Sequence, residues 1–480
     1  MMPLLNFNVI LPLTLLIVWA CLLLLADLFV KKTGVTAFLA ALGLALALGL
    51  TLSQIGYNAT SFNDAVVVDG FSTFVNALLL ISGLLGVALA YDYLKRTGLE
   101  RGEYYTLLLF SIAGMMLMAQ AADLIIVFLA LEMLSIPLYV LAAFAHAKVE
   151  SEEAGLKYFL LGAFAAGFVV YGIALVFGAT GSTALRAIVA AAAAGSANPL
   201  LLTIGAALIL VGLAFKVAAV PFHMWTPDVY HGAPSAVTAF MASGAKIAGF
   251  AALLRVFVLA FPSLAADLTP ILEVISALTM IVGNVLAISQ SNIKRLLAYS
   301  SIAHAGYILM AFVPYGQAGV VTTSVAAGLF YLVSYAVSNF GAWAVVIALE
   351  KKEDKGLEIG DYAGLGRKHP ALAAAMAVFM LSLTGIPPTL GFVGKFYLFR
   401  AAIEGQFYVL AVIGVLTSLI SAYYYLRVVV MMYMRDGEPE TTSEPWLNLA
   451  WSISAILTVL AGIVPAPLFD WASKAVLRLF

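Results

Sequence analysis

Apolar runs of about twenty residues recur from one end of the chain to the other, separated by brief polar breaks. That length is what a helix needs to cross a bilayer's hydrocarbon core. With lipid as the solvent, every backbone N–H and C=O must find a partner inside the chain, so only helices or a closed barrel can span. The runs are continuously apolar rather than alternating, which selects helices. They predict fourteen spans, at 9–30, 35–55, 70–94, 104–121, 123–145, 155–178, 199–225, 233–260, 268–290, 294–313, 318–349, 371–403, 407–434 and 447–478. The fourth and fifth are parted only by Ala121-Ala122-Asp123. The expectation is an all-α polytopic membrane protein with one membrane domain over 1–480. The first run is longer than a signal-peptide core, lacks a basic leader and is followed by Lys31-Lys32, so it reads as a span.

Composition then excludes several classes. The 480 residues are 64% hydrophobic and 10% charged with a net charge of −1, and no basic block fits a polyanion. The one cysteine, Cys21, lies inside the first run, so neither a disulfide nor a cysteine-ligated cluster is expected. No GxxxxGK[ST] and no strand-borne GxGxxG is present, and neither HExxH nor GxSxG occurs. No metal site is predicted, and driving energy must come from a partner or an ion gradient.

Lys and Arg retained on the cytoplasmic side orient such a chain. Lys31, Lys32, Lys95, Arg96, Arg101, Lys148, Lys294, Arg295, Lys351, Lys352, Lys355, Arg367, Lys368 and Arg435 fall on one face; Arg186, Lys474 and Arg478 fall on the other. The first face is therefore read as cytoplasmic, with both termini opposite.

The remaining cations lie within spans. Glu132 precedes Lys216 by nearly the interval that separates His304 from Lys395, and Lys216 precedes Lys246 by nearly the interval between Lys395 and Arg427. Three N-terminal helices (1–103), two five-helix units (104–260 and 268–434) and a C-terminal helix (447–480) follow from that spacing. An odd number of helices per unit inverts the second copy. Pro221 interrupts helix seven and Pro387-Pro388 interrupts helix twelve, each within two turns of a lysine. Inverted repeats with broken helices at matching places are the mark of transport sites near the midplane.

A charge at a helix centre costs about 2.5–3.5 kcal/mol, so Glu132, Lys216, Lys246 and Lys395 together oppose insertion by roughly 10 kcal/mol. Desolvated lysine can hold or release a proton near neutral pH, and a neighbouring carboxylate can shift that balance. These four read as a proton relay, against the bland alternative of ion pairs that fix packing. His223 and His304 read equally as relay members or as structural hydrogen-bond donors. Lys157, near the start of helix six, reads from position alone as a snorkelling anchor. Arg255, Arg400 and Arg427 read as paired or snorkelling, because arginine keeps its proton. Met115-Met116, Met431-Met432 and Tyr423-Tyr424-Tyr425 read as packing and interfacial aromatics.

Four segments carry a resemblance: Glu153-Ala-Gly-Leu-Lys-Tyr-Phe-Leu-Leu-Gly162, Ala219-Val-Pro-Phe-His-Met-Trp-Thr-Pro-Asp-Val-Tyr-His-Gly-Ala-Pro234, Asn292-Ile-Lys-Arg-Leu-Leu-Ala-Tyr-Ser-Ser-Ile-Ala-His-Ala-Gly306 and Gly385-Ile-Pro-Pro-Thr-Leu-Gly-Phe-Val-Gly-Lys395. Over essentially its whole length the chain resembles the antiporter-like membrane subunits of respiratory complex I. Lys395 is similar to the N-type branch, where the M-type carries glutamate, and the chain stops after helix fourteen without the long lateral helix of the L-type. Ala122 departs from the polar residue that relatives tend to carry there.

The resemblance implies two inverted five-helix repeats and a charged axis of Glu132, Lys157, Lys216, Lys246, His304 and Lys395, raising Lys157 above its reading by position. It implies an inner bacterial membrane, other membrane-arm subunits including paralogues as partners, and proton transfer from cytoplasm to periplasm. FMN, iron–sulfur clusters and quinone are expected in partner subunits and no cofactor in this one. Competing readings are a subunit of a multi-subunit cation/proton antiporter, a purely structural membrane-arm scaffold and, least favoured, a stand-alone solute carrier.

Overall fold

The computed structural model describes residues 6–29, 33–146, 148–351, 355–475 and 477. Lys31, Lys32, Lys352 and Arg478, used above for orientation, lie outside them. The chain opens with α1 (Phe7–Asp27), α2 (Thr33–Ser53) and α3 (Gly70–Thr97). Between α2 and α3 an antiparallel hairpin, β1 (Ala59–Ser61) and β2 (Val66–Val68), departs from the all-helical expectation. Its valines pack on Val9, so the hairpin seals one end of the first helices.

The first repeat comprises α4 (Glu103–Gln120), α5 (Leu124–Ala142), α6 (Val149–Thr180), α8 (Pro199–Val217) continued after a break by α9 (Trp225–Gly232), and a rod made of α10 (Ser235–Phe240), a π-helical turn over Met241–Ala245 and α11 (Lys246–Ala260). A short helix the sequence did not announce, α7 (Leu185–Ala193), precedes α8 and buries only Leu185 and Ile188. The second repeat comprises α12 (Ala265–Ile288), α13 (Ile293–Phe312), α14 (Val321–Leu349), then after the four-residue α15 (Leu365–Lys368) the broken pair α16 (Pro370–Thr384) and α17 (Leu390–Glu404), and α18 (Tyr408–Met434). The C-terminal region is α19 (Pro445–Ile463) and α20 (Ala466–Lys474), two helices where one was expected.

Among the described residues, eleven helices are long and apolar enough to cross a membrane. The less apolar α4, the polar-striped α13 and the broken pair α16/α17 pack among them and complete fourteen rods. This is a multi-pass membrane protein. Caps fix several ends: Asp69 and Ser72 form a capping box at α3, and Asn198 and Asn292 cap α8 and α13.

The repeats match in packing and oppose in direction. α4 lies on α5 as α12 lies on α13, and in each pair a glycine at the matching place permits the approach: a Cβ on Gly114 would stand 2.4 Å from the Leu134 backbone N, and one on Gly283 2.5 Å from that of Ala303. The glycine precedes its contact by the same chain interval in both. α4 ends at the hairpin, where Ala121 bridges Val66, whereas α12 begins on that same end, beside the turn Pro262–Leu264 that α7 packs against. The second copy is therefore inverted. Asn6 is tied to Tyr57 and Ser61 by the hairpin, and Trp471 of α20 packs edge-on against Phe74 near the start of α3, so Asn6 and α20 both lie on the hairpin face.

Arg255 of α11 pairs with Asp69, at 2.8 and 3.0 Å, the two side chains being 1% and 0% exposed. The pair binds the first repeat to the N-terminal helices. Arg400 pairs with Glu404, and Arg427 donates to the carbonyls of Ile288 and Gln290, so all three arginines have structural partners.

Candidate functional site

Both helix breaks are built from residues that cannot continue a helix. After Val217, Ala218 takes a left-handed conformation (φ 62°) and Val220-Pro221 is cis; after Thr384, Gly385 does the same (φ 91°) and Pro387-Pro388 is cis. Freed backbone groups find partners in the protein, as membrane burial demands. The Val220 N–H donates to Thr279 of α12 (2.9 Å), the Trp225 indole donates to the Phe215 carbonyl (3.1 Å), and the Gly391 N–H donates to Ser382 (3.1 Å).

The two lysines flank these breaks from opposite sides, which spacing alone did not reveal. Lys216 is in the last turn of α8. Lys395 is in the second turn of α17, but its ammonium reaches back across the break to the carbonyl of Thr384, the last residue of α16 (2.8 Å). Each ammonium therefore rests at the carbonyl end of the helix that precedes a break, where the helix dipole favours positive charge. Gly385 makes the reach sterically open, since a Cβ there would meet Lys395 Cδ at 2.8 Å.

Around Lys216, Nζ donates to Ser135 Oγ (2.8 Å) and Tyr158 OH (3.0 Å). Glu132, Ser135, Tyr139 and Lys216 line one small cavity, and Glu132 Oε1 is buried there with no hydrogen-bond partner among the described residues. Tyr158 stacks on Trp225 at 4.6 Å, and Trp225 in turn meets Tyr230 edge-on at 6.0 Å.

Lys246 follows directly on the π-helical turn, a distortion frequent at functional sites. It is buried, donates to the Ser301 carbonyl and lies 5.9 Å from the Tyr335 ring, whose hydroxyl donates to Ser301 Oγ (2.9 Å). One turn along α13, His304 shares hydrogen bonds with Tyr331 (Nδ1, 2.6 Å) and Tyr425 (Nε2, 3.1 Å), and Tyr425 also bonds Ser300. Lys395 closes the row, donating to Ser418 (2.7 Å) and standing 4.5 Å over the Tyr307 ring. Tyr307 donates to Thr417 (3.2 Å). Lys216, Lys246 and Lys395 are each no more than 3% exposed, and none has a carboxylate within salt-bridge distance among the described residues.

Glu132, Lys216, Lys246, His304 and Lys395 are thus brought into one file through both repeats. Two predicted members are not. His223 sits in the first break with its buried Nδ1 unbonded among the described residues. Lys157 is 40% exposed and pairs with Glu153 and Asp228, both at 2.7 Å. Asp228 of the first repeat also takes Arg295 of the second (3.0 Å), so one carboxylate holds cations from both halves.

Sequence reasoning missed the tyrosines and serines that fill the file. Tyr424 and Tyr425 are fully buried, not interfacial as expected; only Tyr423 of that run is exposed. A signal was present: Ser300, Ser301, His304 and Tyr307 recur on one face of α13, and Tyr331, Ser334, Tyr335 and Ser338 on one face of α14. Counted from the matched glycines, His304 corresponds to Ser135 rather than to Glu132, which corrects the spacing argument.

Known proteins share this architecture. A family model described as NADH:quinone oxidoreductase/Mrp antiporter, TM, matches residues 121–421. The chain is 47% identical to a protein of Trichlorobacter lovleyi named NADH-quinone oxidoreductase subunit N, covering 98% of this chain and 97% of that one, and 45% identical to a Chloroflexus aggregans protein of the same name, covering 99% and 98%. It superimposes on a chain of respiratory complex I from Thermus thermophilus with a TM-score of 0.84 at 38% identity, covering 96% of this chain and 99% of that one. A chain of the Mrp complex from Dietzia gives 0.86 at 21%, covering 98% and 97%, a likeness of fold. The chain belongs to the NADH:quinone oxidoreductase/Mrp antiporter transmembrane family.

Proposed function

We propose that this chain is a proton-translocating membrane-arm subunit of an NADH:quinone oxidoreductase, itself redox-inactive, working beside paralogous membrane subunits. What carries the reading is the file of buried lysines with no carboxylate paired to them among the described residues, each held by hydroxyls and carbonyls that can pass a proton on. Such groups cost too much in lipid to persist as packing alone. In this reading Lys216, Lys246 and Lys395 load and unload protons, Glu132 changes the field at Lys216, and His304 with Tyr331 and Tyr425 links Lys246 to Lys395. Lys157 and His223 serve the cytoplasmic approach. FMN, iron–sulfur clusters and quinone reside in partner subunits. Protons move from cytoplasm to periplasm across a bacterial inner membrane, with both ends of the chain periplasmic, as the Lys/Arg bias supports.

The near-full-length similarity to proteins named as subunits of that oxidoreductase favours this over the antiporter reading, which rests on shared fold. In inverted membrane vesicles, Lys216→Ala is expected to leave the complex assembled while NADH-driven acidification falls. Normal acidification with Lys216→Ala would remove the relay, and loss of assembly would favour a scaffold.

A further inference from the structure

At the end of α5 and α6 farthest from the hairpin, the protein carries an open groove of about 600 Å³ between these two helices. Ile136, Val140, Leu156 and Phe159 form its flanks and are themselves exposed, and Phe144 lies deeper. Arg101 and His146 stand at its rim, on the face that carries most of the Lys and Arg. The lining therefore changes from purely apolar to cationic along one short path.

Arg101 is the informative residue. Its Nη2 donates to His146 Nε2 at 3.3 Å, a contact that makes the imidazole an acceptor and brings no negative charge. No ion pair among the described residues uses Arg101. An exposed guanidinium in no ion pair among the described residues, beside the ends of two membrane-spanning helices, matches a phosphate in both charge and fork geometry. A zwitterionic lipid presents its own cation there, whereas an anionic one leaves a net charge that Arg101 complements.

We propose that this groove binds an anionic glycerophospholipid, with an acyl chain between Val140 and Phe159 and the phosphate on Arg101. His146 holds the guanidinium in place. Tyr139 forms the back of the groove and also lines the cavity of Glu132 and Lys216, so the lipid lies one side chain from the first lysine of the file.

The test takes the full chain, purified in mild detergent, equilibrated with vesicles of equal parts phosphatidylcholine and phosphatidylglycerol, re-extracted and analysed for retained lipid by native mass spectrometry. Phosphatidylglycerol should be retained over phosphatidylcholine. Arg101→Gln should cut that preference roughly tenfold, and Arg101→Lys should restore part of it. Val140→Trp, a change on a lipid-facing flank, should reduce retention of both lipids. Equal retention of the two lipids, unchanged in Arg101→Gln, would overturn the proposal. So would cross-linking from a cysteine placed at Val140 to a neighbouring subunit in the assembled complex, which would give the groove a protein occupant.

Discussion

Replacing Lys395 by methionine separates holding the fold from moving charge. The ammonium donates to Thr384 O (2.8 Å) and Ser418 Oγ (2.7 Å). Hydrogen bonds from a charged group contribute about 1.5–3 kcal/mol each. Against them stands the cost of removing an ammonium from water, still several kcal/mol after relaxation. No carboxylate is paired with Lys395 among the described residues, so methionine strands no opposite charge. Nor does it orphan the carbonyl, because Ser418 Oγ also donates to Thr384 O (3.0 Å). The terms nearly cancel: stability should change by about 1 kcal/mol in either direction, with Tm moving less than about 4 °C. The relay, by contrast, loses a station. In vesicles whose only copy is Lys395→Met, complex content on native gels and its melting should stay near the wild type, while acidification per NADH oxidised falls. Unchanged acidification would refute the relay role, and a complex that fails to assemble would refute the arithmetic.

Arg255→Met should behave in the opposite way, destabilising by about 3–5 kcal/mol because Asp69 is left buried and charged; Asp69→Asn in the same chain should recover much of the melting temperature. Gly283→Val should drive α12 from α13, since even its Cβ would stand 2.5 Å from the Ala303 backbone N, inside contact distance, costing about 1–3 kcal/mol, read as a lowered Tm. Tyr158→Phe keeps the stack on Trp225 but removes one acceptor from Lys216. Its stability should fall by about 1.5–3 kcal/mol, with acidification reduced at normal NADH oxidation; an unchanged proton yield would take Tyr158 out of the path.

The rods were legible because lipid imposes a length and a composition that every span must meet, and the breaks because Pro221 and Pro387-Pro388 cannot be hidden in an apolar run. Lys216, Lys246 and Lys395 stood out for the same reason: each interrupts an otherwise apolar stretch of sequence. What stayed out of sight depends on side-chain direction. Tyr425 lies between an exposed Leu426 and a buried Tyr424, and one residue's rotation about α18 decides whether it meets lipid or His304. The hairpin at 59–68 was too short to register against the spans around it. The opposite placement of Lys216 and Lys395 about their breaks could not be read from intervals, since only the fold shows that a lysine after a break can deliver its charge to the helix before it.

Asp228 marks the limit of treating the two halves as modules. Counted from Pro221 it occupies the place that Lys395 occupies from Pro388, so corresponding positions of the two repeats hold opposite signs. In the first copy that carboxylate now answers to Lys157 and to Arg295 across the seam. Neither half could be lifted out or exchanged for a twin without leaving a counter-ion behind; the two repeats form a single electrical circuit.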